Sequence, residues 1–162
     1  MRRALAMLTA ALALAFAAPL ASRAESPAEL YTLNCWGCHG AGAKGIPGTV
    51  PRLAHSMGYF PRIPQGRAYL VQVPGVENSA LDDAQTATIL NWMLDTFSHA
   101  ELPPNFKPYT AAEVKTYRAH RLLSVIDTRR ALEKKLAALG CSIATMGPPA
   151  RQELKRSHRD DE

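Results

Sequence analysis

Cys35, Cys38 and His39, in the run Cys35-Trp36-Gly37-Cys38-His39, are the residues best placed to do chemistry. Two thiols three positions apart, followed at once by an imidazole, form the C-x-x-C-H pattern of covalent haem attachment. Each thiol adds to one vinyl group of the same porphyrin, and the adjoining histidine is then held beneath the iron as an axial ligand. Other uses of paired cysteines fit less well. A zinc site needs a second ligand pair at recognisable spacing, and the sequence has no second C-x-x-C and no H-x-x-x-H. A thioredoxin-type motif calls for a βαβ context that these flanks do not offer. A plain disulfide between Cys35 and Cys38 would leave His39 as a coincidence.

The elements around this run have to present it. Ser26-Pro27-Ala28-Glu29 reads as a helix start, with Ser26 as N-cap, Pro27 at the first turn and Glu29 closing a capping box. The helix carries Leu30, Tyr31 and Leu33 into Cys35. Beyond His39 lies the glycine-dense stretch 40–48, suited to turns and to a backbone lying close against a flat ligand. Residues 66–73 read as a short helix or extended segment ending at Pro74-Gly75. Leu81-Asp82-Asp83-Ala84-Gln85 opens the strongest helix, capped by Asp82 and Gln85, with Leu90, Met93, Leu94 and Phe97 on one face.

With these elements in order, residues 26–98 resemble the cytochrome c family. The resemblance implies an all-α fold, in which a first helix leads into the haem motif and a later helix crosses it. It also implies roles for Pro51-Arg52-Leu53. The Pro51 carbonyl would accept the Nδ1 proton of His39, with Pro47 as a competing carbonyl, and Leu53 would pack on the proximal ring face. A hydrogen bond to the second nitrogen fixes the tautomer and orientation of a metal-ligating histidine. Arg67 and Arg62 are candidates for pairing with the haem propionates, because a guanidinium matches carboxylate geometry; a solvated surface arginine is the plainer reading of either. Tyr69 is a further candidate, or simply core.

One departure from the family concerns the sixth iron ligand. Electron-transfer members place a methionine in the loop before the last core helix, and here the loop Val76-Glu77-Asn78-Ser79-Ala80-Leu81 contains none. The candidates are an open or weakly held position (water, or a contact from Asn78), then Met57 as a possible distal ligand, then His55. Met93 reads as core, since a methionine at helical spacing is usually packing.

The sequence divides into four parts. Residues 1–24 read as a signal peptide: Arg2 and Arg3, the apolar stretch from Ala4 to Leu20, and small residues at Ser22-Arg23-Ala24. Residues 25–100 form the cytochrome c domain and 101–140 a helical extension, with helices from Thr110 to about Leu122 and from about Val125 to Leu139. Residues 141–162 read as a disordered tail. Cleavage after Ala24 lowers the formal net charge from +5 to +2 and leaves no stable membrane span. No basic run is interleaved with aromatics, which argues against a nucleic-acid partner. Cys141 is the odd cysteine, read either as a thiol for intermolecular pairing or as an inert, partly covered side chain.

The function expected from this sequence is a periplasmic, non-enzymatic electron carrier with one covalent haem c. Its partners would be a dehydrogenase donor and a respiratory acceptor, with docking through residues 110–139 or past Trp36. Two other expectations stand beside it: a haem enzyme or ligand sensor with an open distal site, peroxidase-like in chemistry, and a haem subunit held permanently in a larger dehydrogenase complex.

Overall fold

The computed structural model of the chain describes residues 25–143, so the expected signal peptide and most of the expected tail lie outside the described residues. Seven α-helices and two 3-10 turns make up the described chain, and an isolated bridge between Ile46 and Val50 is the one β-type pairing among them. The architecture is all-α.

Helix α1 (Pro27–Asn34) starts as its sequence dictates. The Ser26 hydroxyl accepts from Glu29 N at 3.3 Å, and the Glu29 carboxylate accepts from Ser26 N at 2.7 Å. Two of the otherwise unpaired N–H groups of the first turn are satisfied in this way. After a break at Cys35, the single turn α2 (Trp36–His39) follows. A 3-10 turn (Met57–Arg62), α3 (Pro64–Gln72) and the short α4 (Pro74–Glu77) come next. The prolines that open α3 and α4 supply the φ of a first helical turn without wasting an N–H.

Helix α5 (Asp83–Ser98) is the spine of the fold, and its predicted capping box is complete: Gln85 N donates to Asp82 at 2.7 Å and Asp82 N to Gln85 at 3.0 Å. Leu90, Met93 and Leu94 are buried and Phe97 is half-buried, as the spacing predicted. Helix α1 packs across α5. Tyr31 fills the crossing, with its ring centroid 5.6 Å from Trp92 and 5.1 Å from Phe97. These tilted ring pairs add to what burial contributes.

A 3-10 turn (His99–Glu101) and a proline-rich strap lead to α6 (Ala111–Arg118) and α7 (Val125–Ala138). Helix α6 lies on α3 and α5, while α7 lies on α3 and the 3-10 turn at Met57–Arg62. The expected helix from Thr110 to Leu122 is shorter than its sequence suggested, stopping at Arg118 so that the chain can turn and Ser124 can cap α7. The first residues of the expected tail are packed: Cys141 N donates to Leu136 O at 3.1 Å, and Cys141 and Ile143 lie against the core.

Thr110 caps α6 by accepting from Glu113 N, and the Glu113 side chain does not return a bond to Thr110 N as a full capping box would. The Glu113 carboxylate is taken instead by Arg67, which donates through Nε and, at 2.7 Å, through Nη2. The Arg67 guanidinium also lies 4.0 Å over the Tyr109 ring, while the Tyr109 hydroxyl donates to Arg67 O at 2.8 Å. Asn91 on α5 completes the attachment of the strap, accepting from Tyr109 N at 2.7 Å and donating to Tyr109 O at 2.9 Å.

The Arg67 hydrogen bonds hold the Glu113 carboxyl below its ordinary value of 4.5, partly opposed by desolvation. Stabilisation from this pair is therefore full above about pH 4.5 and is lost as pH falls through the lower folded value. Glu113→Gln is expected to lower the unfolding free energy at neutral pH by about 1–3 kcal/mol. Denaturant titrations over a pH series should show a shallower acid-side decline in the variant than in the wild type.

Candidate haem site

The break in the helix at Cys35 sets the geometry of the C-x-x-C-H run. Cys35 N still donates to Tyr31 O, closing α1, and the next turn begins with Cys38 N and His39 N both donating to Cys35 O, at 3.3 and 3.0 Å. Positions three and four apart on one turn share a face. Cys35, Cys38 and His39 accordingly line one cavity of about 370 Å³. The Tyr31 hydroxyl donates to Gly40 O at 2.6 Å, tying the end of the turn back to α1.

The loop after His39 folds back to meet it. Gly45 N donates to His39 O at 3.0 Å, Ile46 and Val50 exchange two hydrogen bonds, and Ala43 O accepts from Leu53 N and Ala54 N. This folding brings Pro51 O to 3.1 Å from His39 Nδ1. The imidazole then donates from Nδ1, leaving the Nε2 lone pair free for a metal. Burial lowers the pKa of His39; the Pro51 carbonyl opposes that shift and the charge of Arg129 adds to it. The neutral, ligating form is thus favoured. Pro47, the competing carbonyl, is exposed, and Pro51 makes the contact.

Burial, with a smaller contribution from Cys38, pushes the half-buried Cys35 thiol up to about 11. Leu53 and Pro51 both line the cavity, and much of the remaining wall is apolar, including Leu70, Val73, Val76 and Leu90. Met57, Met93 and Tyr69 also line it. Met93 had been read as core, and it is buried, but it forms cavity wall as well.

Several candidates lie elsewhere. Arg67 does not line the cavity, because Glu113, Pro108 O and two aromatic rings occupy its guanidinium. Arg62 donates to Glu101 O and Leu102 O, tethering the second 3-10 turn. His55 points outward, 3.5 Å from Glu101, and Asn78 is exposed and accepts from Arg121 Nη2 at 3.1 Å. Neither His55 nor Asn78 lines the cavity.

Sequence reasoning missed Arg129. It lies 90 positions beyond His39, on a helix read as an extension, yet it lines the same cavity with its side chain buried. The signal available was the pair Arg129-Arg130 one turn after Val125 on an amphipathic helix, and periodicity alone reads such a pair as surface.

An apolar slot with two thiols and a neutral imidazole on one wall, and a buried cation on another, suits a flat macrocycle with a greasy body and carboxylate arms. The comparisons agree. The cytochrome c family profile matches residues 24–97. Cytochrome c-552 of Thermus thermophilus is 32% identical over 113 residues, covering 59% of this chain and 86% of the relative. A second cytochrome c-552, from a particular strain of the same species, matches with the same identity over 76% of its length. The chain belongs to the cytochrome c family. Family membership implies haem c held covalently through cysteine and a part in electron transfer. Among the described residues no helix is long and apolar enough to cross a membrane.

The loop that presents Pro51 depends on Gly45, whose φ is +67° and where an added Cβ would sit 2.3 Å from Val50 O. Gly45→Ala is expected to cost at least about 1–2 kcal/mol from the left-handed backbone alone, with the clash adding to it. Thermal denaturation of the variant should show a clear fall in Tm beside the wild type.

Proposed function

We propose that the chain is an exported electron carrier with one haem c, attached through Cys35 and Cys38 and ligated on its proximal side by His39. The single C-x-x-C-H run in the sequence supports a count of one. The reading is carried by one observation: His39 Nδ1 is held by the Pro51 carbonyl, with both thiols on the same cavity wall. When bound, the group supplies one-electron Fe(III)/Fe(II) cycling. The residues that line the cavity would bind and orient it and exclude water.

The donor would be a periplasmic dehydrogenase and the acceptor a component of the respiratory chain. Leu33 and Trp36, both exposed beside the thiols, provide an apolar spot for a small, transient encounter. Packing of α6 and α7 on the core leaves their outer faces for a more lasting partner. Periplasmic delivery rests on the signal-like residues 1–24.

A second reading, a haem enzyme or ligand sensor, is favoured by the composition of the wall. Among the described residues His39 is the one imidazole lining the cavity, so no second histidine closes its far side. The sulfur-bearing side chains there besides the two cysteines are Met57 and Met93.

Protein made with haem-maturation machinery should gain the mass of one haem, and Cys35→Ala/Cys38→Ala should abolish that gain; bare polypeptide mass in the wild type would remove the electron-carrier reading. The absorption spectrum separates the two readings. A weak far-red band in the ferric protein that disappears in Met57→Leu identifies thioether ligation and a closed carrier. No such band, together with fast carbon monoxide binding by the ferrous protein, identifies an open iron.

A further inference from the structure

Among the described residues, the one cationic group on the cavity wall lies beyond the segment matched by the family profile. Arg129 stands on α7, whose first residues Val125 and Ile126 line the cavity with it. It is 6% exposed, and its guanidinium lies 5.2 Å over the Phe60 ring. Its partner is Glu133, one turn along and equally buried, with Nε and Oε1 2.7 Å apart. That approach lacks hydrogen-bond alignment. Arg129 Nε, Arg129 Nη2 and Glu133 Oε1 are all buried with no hydrogen-bond partner.

Unpaired donors on a buried guanidinium are costly, and a chain retains them where something completes the set. The space that Arg129 adjoins is the cavity itself. A ligand group that suits it must be anionic and planar, with two oxygens to meet a guanidinium fork. The macrocycle expected on Cys35, Cys38 and His39 carries two such groups. Arg67 and Arg62, the candidates nearer in sequence, are committed elsewhere.

We propose that Arg129 receives one haem propionate, and that α7 is thereby part of the cofactor site rather than an appendage to it. The inference rests on the haem reading above. The guanidinium bridges two carboxylates, Glu133 on its own helix and the propionate across the cavity. Docking of α7 then depends on the cofactor, because without the second carboxylate the helix buries an incompletely paired cation.

The test uses the haem-loaded protein and compares Glu133→Gln with Arg129→Leu/Glu133→Gln, so that no change can arise from the Glu133 carboxylate. Loss of Arg129 should lower the midpoint potential, because an uncompensated propionate charge favours ferric iron. A haem carboxylate band should shift in the oxidised-minus-reduced infrared spectrum. Amide exchange across residues 125–138 should quicken by about tenfold, the loss of roughly one charge-assisted hydrogen bond. Arg129→Lys in the same background should recover part of the potential. If the double variant matches Glu133→Gln in potential and carboxylate band, Arg129 serves Glu133 alone and the proposal fails. Failure of the wild type to carry haem would instead overturn the reading on which it rests, and the mass spectrum separates that outcome.

Discussion

The hydrogen bond from His39 Nδ1 to Pro51 O, 3.1 Å long, is the constraint around which the rest of the molecule is arranged. It requires a loop that leaves the C-x-x-C-H turn, makes a tight excursion and returns to within one bond of its origin. The Ile46–Val50 pairing closes that excursion, and the Ala43 carbonyl pins its far end through Leu53 and Ala54. It also requires the turn to be anchored, which Tyr31 does from within the α1–α5 crossing. A free imidazole in a flexible loop would sample both tautomers and many orientations. Here the scaffold selects one of each before any ligand arrives.

Arginines join the C-terminal helices to this scaffold. Arg67 reaches from α3 to α6. Arg118 reaches the other way, to Val76 O, Leu81 O and the side chains of Ser79, Asp83 and Thr86. It thereby fixes the short connection between α4 and α5 along one rim of the cavity. Arg121 ties the same connection through Glu77 and Asn78. A planar donor fork can satisfy several carbonyls at once, which explains why arginine rather than lysine occupies these junctions. From residues 101–140, read in sequence as an extension, Val125, Ile126 and Arg129 line the cavity.

Local chemistry was legible in the sequence and long-range pairing was not. The Ser26 and Asp82 boxes and the apolar face of α5 are decided by near neighbours in the chain, and each forms as its sequence implied. The Pro51 contact was reached through family likeness, since no local rule distinguishes its carbonyl from that of Pro47. Arg67 went astray because a guanidinium next to the site in sequence is indistinguishable from one that faces it; its partner, Glu113, lies 46 positions away. Arg129 escaped for the same reason in reverse. Periodicity reports which face of a helix is buried, and says nothing of the helix against which that face will lie.

The position of α7 has a consequence for biogenesis. Its first turn forms part of the chamber wall, yet Val125 and Ile126 follow Cys35 and Cys38 far along the chain and are synthesised well after them. During that interval the pocket stands without its C-terminal side. A chain made from its N-terminus therefore presents its two thiols on an open-sided pocket first, and the wall that Val125, Ile126 and Arg129 supply comes later in the order of synthesis.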